Sequence, residues 1–106
     1  MELVKNSIEQ NAAYLPLIFE EDASYSDVIK RDSWRRTAVH CPDRAITVQI
    51  TLVKDPDLDS DDDWITVNDS PEKYVNIDGL AYWVRCKAAF KKGDRLYIQS
   101  AYSNYM

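Results

Sequence analysis

The chain has 106 residues, with 13 Lys and Arg against 18 Asp and Glu, which gives a formal net charge of −5. This length permits one domain with one core. Two glycines cannot supply the glycine-rich loops that cradle phosphates, and one histidine excludes most zinc and catalytic-triad chemistry. We therefore expect a protein that is not an enzyme and that has no catalytic residues, no cofactor and no metal site.

The beginning of the chain gives no targeting signal. Residues 1–7 lack the cationic and apolar regions of a secretory signal. A transmembrane helix needs about 20 apolar residues, whereas the apolar run over residues 15–19 is short and contains Pro16. We predict no membrane partner and a location in the cytoplasm or in a virion assembled there.

The first third of the chain has a weak pattern. Residues 2–14 can form a short helix with Leu3, Val4 and Ile8 near one face. Pro16 would end this helix, because the residue before a proline avoids helical backbone angles. We predict an N-terminal arm or helix in residues 1–24, a β-sandwich domain in residues 25–106, and one helical turn over residues 24–30.

The middle of the chain alternates as a half-buried strand does. In residues 46–52, Ile46, Val48, Ile50 and Leu52 fall on one face and three polar residues on the other. We predict that this apolar face is core, and that Val48→Asp unfolds the domain whereas Thr51→Asp is tolerated. Residues 81–90 alternate similarly, and their second face is predicted to be a wet face: Trp83, Arg85 and Lys87. Shorter strands are predicted at residues 36–41, 64–67, 74–77 and 96–102.

Turn residues separate these strands. Asp78-Gly79 predicts a tight hairpin between residues 77 and 80, and Lys92-Gly93-Asp94 predicts a turn before the last strand. Short strands at regular spacing with turns between them indicate a sandwich or barrel. The predicted fold is all-β, a small antiparallel β-sandwich of jelly-roll or Ig-like type, with a short N-terminal helix or extended arm.

The cysteines and the histidine predict no chemistry. Cys41 and Cys86 are expected to be buried thiols, although the sequence leaves open whether they pair. His40 and Cys41 are neighbours on a predicted strand, so their side chains point to opposite faces. We therefore predict a surface histidine beside a core cysteine.

Residues 55–63 contain six aspartates. Counted from Asp55, the glycine and glutamate positions of an EF-hand loop hold Ser60 and Thr66, so that motif fails. Three interpretations remain: a solvated loop that is dispensable for folding, a weak cation site of another kind, or an acidic docking loop for a partner. The residues of the docking loop would be Asp55, Asp57, Asp59, Asp61, Asp62 and Asp63.

Basic residues cluster around Trp34 and Phe90, but the chain as a whole is acidic, and we do not expect it to bind nucleic acid. Apolar and tyrosine side chains near the termini favour contacts with another chain. We predict a homo-oligomer or a protein lattice, with contacts from Leu3, Val4, Ile8, Tyr102 and Tyr105.

Residues 46–102 run in the order strand, acidic loop, Trp64 with its strand, then a turn leading to an aromatic and basic strand around Trp83. In this order the chain resembles the small β-sandwich virion proteins of tailed phages. The resemblance implies a non-enzymatic decoration, head-stabilising or tail component that binds capsid or tail proteins. Two alternatives remain: a carbohydrate-binding sandwich that holds a glycan with exposed Trp and Tyr, and a small acidic inhibitor that mimics nucleic acid.

Overall fold

The computed structural model describes residues 3–4, 16–30, 35–78 and 81–102. In this part of the chain the protein is all-β. The ten described strands are β1 (Leu3–Val4), β2 (Leu17–Ile18), β3 (Ala23–Tyr25), β4 (Val28–Lys30), β5 (Arg35–His40), β6 (Thr47–Thr51), β7 (Ile65–Thr66), β8 (Tyr74–Ile77), β9 (Trp83–Phe90) and β10 (Arg95–Tyr102). No helix that could cross a membrane occurs among these residues.

The strands form two sheets that pack together. Sheet 1 has the order β1-β4-β9-β6-β7, with β3 also paired to β9, and sheet 2 has the order β2-β10-β5-β8. Every described pair is antiparallel except β1 with β4, which is parallel. The predicted all-β class is therefore confirmed, with a sandwich-like packing of two sheets.

The core lies between the sheets because both contribute alternate apolar side chains. In sheet 1, Val48 is opposite Cys86 and Ile50 is opposite Val84. The buried residues of this core are Ile29, Val39, Cys41, Ile46, Val48, Val75, Ile77, Val84, Cys86, Phe90, Leu96 and Ile98. Burial of these side chains is the main favourable term in folding, at about 25 cal/mol per Å² of apolar surface.

The predicted strands of the C-terminal two thirds are confirmed, and β8 has the predicted bounds. The helical turn over residues 24–30 is wrong, since this segment forms β3 and β4. Val28 and Ile29 explain the difference. These β-branched neighbours are both buried, Ile29 in the core between the sheets and Val28 in a second cluster with Trp83, and only a strand points neighbours to opposite faces.

The predicted hairpin at Asp78-Gly79 is also wrong. Strand β8 belongs to sheet 2 and β9 to sheet 1, so the connection crosses between sheets. Gly93 has a φ of 92°, as the predicted turn requires. That turn likewise joins different sheets, because β10 lies in sheet 2. Turn residues identify where the chain reverses, but they do not determine which strands become partners.

The predicted N-terminal helix or arm is described only in part. Leu3–Val4 form β1 beside β4, and residues 5–15 lie outside the described residues. Strands β2 and β3 pair with β10 and β9. The division of the chain at residue 24 remains a prediction.

Candidate functional site: an acidic loop held by a buried arginine

The acidic segment between β6 and β7 is folded by its own hydrogen bonds. The amide of Asp57 donates to Asp63 Oδ2 at 2.8 Å, and the amide of Asp59 donates to Asp57 Oδ1 at 2.9 Å. Ser60 Oγ donates to the other Asp57 oxygen at 3.1 Å. Asp57 and Asp63 thus act as acceptors for the backbone and hydroxyl donors of their own loop, as aspartate commonly does in turns.

Two tryptophans attach this loop to the outer face of sheet 1. Trp64 donates its indole N–H to the Asp57 carbonyl at 2.9 Å, and Trp83 donates to the Lys54 carbonyl at 2.8 Å. Both rings are buried, together with Val28 and against the partly buried Leu58. The sheet therefore has a second apolar cluster on the face that looks away from sheet 2.

Arg85 lies under the loop with a side chain that is 0% exposed. Its Nε donates to Gln49 Oε1 at 2.8 Å. Nη1 donates to the Leu58 carbonyl at 3.0 Å, and Nη2 donates to the Ser60 carbonyl at 2.9 Å and to Asp61 Oδ1 at 3.1 Å. The rigid fork of a guanidinium suits it to bind several oxygens at fixed positions at once.

Aromatic rings enclose the same guanidinium. Its central carbon lies 4.1 Å from the ring centroid of Tyr25 and 4.1 Å from that of Trp64. Cation–π attraction at a site shielded from water is worth about 2 kcal/mol. Arg85, on β9, therefore joins three other parts of the chain, namely β3, β6 and the loop.

The charges at this site are strongly coupled. Lys87 donates to Asp61 Oδ2 at 2.8 Å. Hydrogen bonds from Lys87, and then from Gln49 and Tyr25, lower the pKa of Asp61 to about 2. Burial lowers the pKa of Arg85, and the charge of Asp61 opposes this effect.

These contacts correct four sequence predictions. The loop is closed by its own hydrogen bonds rather than open, although five of its six aspartates are exposed. The face of Trp83 and Arg85 is not wet. Gln49 and Thr51, on the predicted solvent side of β6, are 2% and 0% exposed. The Thr51 hydroxyl donates to the Asp63 carbonyl at 2.6 Å, so Thr51→Asp is not expected to be tolerated. Leu52 was predicted to be a core residue, but it is 64% exposed, because β6 ends at Thr51, where the loop begins.

The predicted docking-loop residues fall into two groups. Asp57, Asp61 and Asp63 bind groups of the protein itself, as described above. The other three, Asp55, Asp59 and Asp62, are exposed and form no ion pair within the described part of the chain. The described residues contain no cluster of His, Cys, Asp and Glu that could hold a metal ion.

A groove of about 750 Å³ lies beside the loop, between residues 17–27 and the loop residues Leu58 and Asp59. Its lining combines apolar side chains, among them Leu17 and Phe19, with carboxylates. We call it the acidic groove. Sequence reasoning missed it because residues 17–27 were interpreted as an arm and a helical turn.

Sequence reasoning also missed two crossed ion pairs at the end of the sandwich. Arg44 binds Asp94 with both Nε and Nη2, the latter at 3.1 Å. Arg95 Nη2 binds Asp43 Oδ1 at 3.1 Å. Asp94 also accepts the amide of Lys91 at 2.8 Å, which ties the Gly93 turn to the β5–β6 connection.

The predicted terminal contact residues are only partly described. Leu3 and Val4 lie in β1, and Tyr102 is opposite Arg35 at the end of β10. Ile8 and Tyr105 lie outside the described residues. The role of these five residues in contacts with another chain stays a prediction.

The histidine and cysteine predictions are confirmed. His40 is exposed beside the rings of Tyr74 and Tyr97, whereas Cys41 is buried. Cys41 and Cys86 are free thiols. Burial raises the pKa of Cys86 to about 12, which makes it a poor nucleophile.

Comparison of the chain with protein-family models, curated proteins and solved structures gives no match. The functional argument therefore rests on the geometry of the chain itself.

Proposed function

We propose that this chain is a non-enzymatic structural protein that associates with copies of itself in a larger protein assembly. Because the sequence resembles small virion proteins of tailed phages, we propose a phage particle as this assembly, in which the chain is a decoration, head-stabilising or tail component. The observation that carries the proposal is an exposed apolar patch at one edge of sheet 1. We call it the edge patch and define it as Leu52, Val53 and Ile65.

The edge patch lies on two neighbouring strands, because Leu52 and Val53 directly follow β6 and Ile65 lies in its partner β7. Large apolar side chains are exposed at five described positions, and three of them belong to this patch. Leu52 is 64% exposed and Ile65 is 55% exposed, at the margin where β7 ends the described sheet. Clustered apolar groups on a surface mark interaction sites, and sheet edges are frequent sites of association.

The strand pairing supports a jelly-roll assignment of the sandwich. Five of the eight described pairs are nested: β2 with β10, β3 and β4 with β9, β5 with β8, and β6 with β7. The other three join β1 with β4, β5 with β10 and β6 with β9. Such nesting is what a long hairpin gives when it is wrapped into two sheets. Jelly rolls form viral capsid domains as well as lectins and cupins, so the fold favours a virion role without determining it.

Self-association through the edge patch would be isologous, with the patch of one copy packed on the same patch of the other. Each chain carries a net charge of −5, and the acidic loop directly precedes β7. Repulsion between copies should therefore weaken the contact at low salt. Screening at higher salt should strengthen it, because the Debye length falls to about 8 Å at physiological ionic strength.

Sedimentation equilibrium of the intact chain and two variants tests this proposal. We expect the intact chain to associate beyond its monomer mass of 12.3 kDa, more strongly at 300 than at 30 mM salt. Ile65→Lys should weaken association at least about ten-fold, since burial of one apolar side chain is worth about 1.5–3 kcal/mol. Thr66→Lys is the matched control, because it adds the same charge at the next exposed position of β7.

Two results would contradict the proposal. A chain that stays monomeric at millimolar concentration and high salt does not self-associate. Equal weakening by Ile65→Lys and Thr66→Lys would show that added charge acts, rather than loss of the edge patch.

A further inference from the structure

The acidic groove is lined by both apolar side chains and carboxylates, a combination that suits few ligands. Leu17, Phe19 and Leu58 give it apolar walls, and the Phe19 ring stacks on Phe90 with centroids 4.1 Å apart. Ile18, which also lines the groove, is 60% exposed. A volume of about 750 Å³ lies within the range of sites that take drug-sized ligands, about 300–1,000 Å³.

The charged residues that line the groove, among those that the structure describes, are all acidic. Glu20, Glu21, Asp27 and Asp59 line it, and no described Lys, Arg or His does. None of these four carboxylates forms an ion pair within the described part of the chain.

Two nearby lysines bind carboxylates that do not line the groove. Lys87 binds Asp61 at 2.8 Å, and Lys91 lies 3.6 Å from Asp22. These two lysines therefore do not compensate the charge of the groove carboxylates.

We propose that the acidic groove binds an extended basic segment of a partner protein. A Lys or Arg side chain fits this lining because its aliphatic stem packs on apolar groups while its charged head meets a carboxylate. A partner segment with apolar residues between basic ones would cover Leu17, Phe19 and Leu58. This inference rests on the proposed function, since it gives the chemistry of a second contact within the same assembly.

A second copy of the chain is a poorer occupant. Its net charge of −5 would be brought against four carboxylates, and like charges across an interface cost affinity. A small cation is also a poorer occupant, because it leaves the apolar walls uncovered.

The test uses isothermal titration calorimetry with the peptide acetyl-Gly-Lys-Leu-Arg-Leu-Lys-Gly-amide at 30 mM salt. Two control peptides replace either the basic residues with Glu or the leucines with Ser. We expect the first peptide to bind the intact chain, the Glu peptide not to bind, and the Ser peptide to bind more weakly.

Two double variants locate the site. Glu20→Gln with Asp27→Asn removes two charges from the groove, and Asp55→Asn with Asp62→Asn removes two exposed charges that do not line it. The groove variant should raise Kd about ten-fold and the control variant less than two-fold, since exposed ion pairs contribute about 0.2–1 kcal/mol each. Circular dichroism of both variants confirms that each is folded.

Four outcomes of the titrations would overturn the inference: no binding of the basic peptide, equal weakening by both double variants, equal binding of the Ser peptide, or tighter binding of spermine than of the peptide.

Sedimentation of the intact chain and of the groove variant separates this inference from the proposed self-association. If the intact chain self-associates but does not bind the peptide, the groove alone is refuted. If the intact chain is monomeric but binds the peptide, only the edge contact is refuted. Loss of self-association in the groove variant would identify a second copy as the occupant and overturn the partner segment.

Discussion

Replacing Arg85 with methionine tests the buried network that holds the acidic loop. Methionine keeps an unbranched side chain between Tyr25 and Trp64, so the substitution removes the cation with little change in packing. The carbonyls of Leu58 and Ser60 then lose their donor. Asp61 loses one of its two cationic partners.

The expected cost follows from the number and type of contacts. Removing one partner from a buried charged network costs about 3–5 kcal/mol, because the remaining polar groups are left unsatisfied. Total stability of a small domain is about 5–15 kcal/mol. Arg85→Met should therefore remove a fifth or more of the free energy of unfolding and lower Tm by roughly 10–20 °C.

Urea unfolding followed by tryptophan fluorescence measures this loss, since the Trp64 ring lies against Arg85. Lys87→Met is the matched control on the same strand. The Lys87 side chain is 42% exposed, its ion-pair partner is an exposed carboxylate, and its Nζ lies as far as 5.6 Å from the Tyr25 ring centroid, so its loss should cost less than about 1 kcal/mol. Equal costs for the two variants would refute the reasoning and would restore the interpretation of this face as wet.

Three further predictions concern neighbouring groups. Thr51→Asp should destabilise the protein by at least about 2 kcal/mol in urea unfolding, because it buries an unpaired charge. Thr66→Asp, at an exposed position of β7, should change stability by less than about 0.5 kcal/mol. Similar costs for the two variants would contradict the burial of Thr51. The pKa of Asp61 is lowered from 3.8 to about 2, so its stabilising effect is complete above about pH 4 and is lost as the pH falls through 2. The free energy of unfolding should fall by about 1 kcal/mol as the pH is lowered through this window, a value that allows for solvent screening. This loss should disappear in Asp61→Asn and persist in Asp62→Asn. An unchanged loss in both variants would contradict the assignment to Asp61. Asp94→Ala should cost about 1–2 kcal/mol in urea, because it leaves partly buried donors of Arg44 and of the turn without their acceptor. A cost below about 0.5 kcal/mol would show that this pair is unimportant.

The fold class was accessible from the sequence because alternation over residues 46–52 and 81–90 is a local signal. Ile46, Val48 and Val84 are in the core as that signal predicts. The sheet to which each strand belongs depends on pairing across many residues, which no local pattern carries. Asp78-Gly79 therefore predicts a hairpin, whereas the strands before and after it, β8 and β9, belong to different sheets.

The candidate site was harder to predict because polar residues alternate with apolar ones in a strand for two reasons: they can face solvent, or they can face a polar loop that covers the sheet. Gln49, Thr51 and Arg85 have the pattern of a solvent-facing side, yet they face the acidic loop. A fully buried arginine is rare and requires partners. The six aspartates indicate an unusual loop, and repulsion between like charges predicts an open one. The loop is folded because side chains donate hydrogen bonds to its carbonyls and its amides donate to its carboxylates.

The acidic groove could not be predicted from local sequence patterns, for a different reason. Its lining joins residues 17–27 to Leu58, Asp59 and Leu96, which are far apart in the chain. Pairing of β2 with β10 and of β3 with β9 brings them together. These pairings depend on tertiary structure.

Amide hydrogen exchange at two protein concentrations tests most directly whether the edge patch joins copies of the chain. Exchange should slow at the higher concentration in residues 50–53 and 64–67, which carry Leu52, Val53 and Ile65. Residues 36–40 and 95–99 of sheet 2 should exchange at the same rate at both concentrations. Slower exchange in sheet 2, or no concentration dependence at the edge patch, would contradict the proposed self-association.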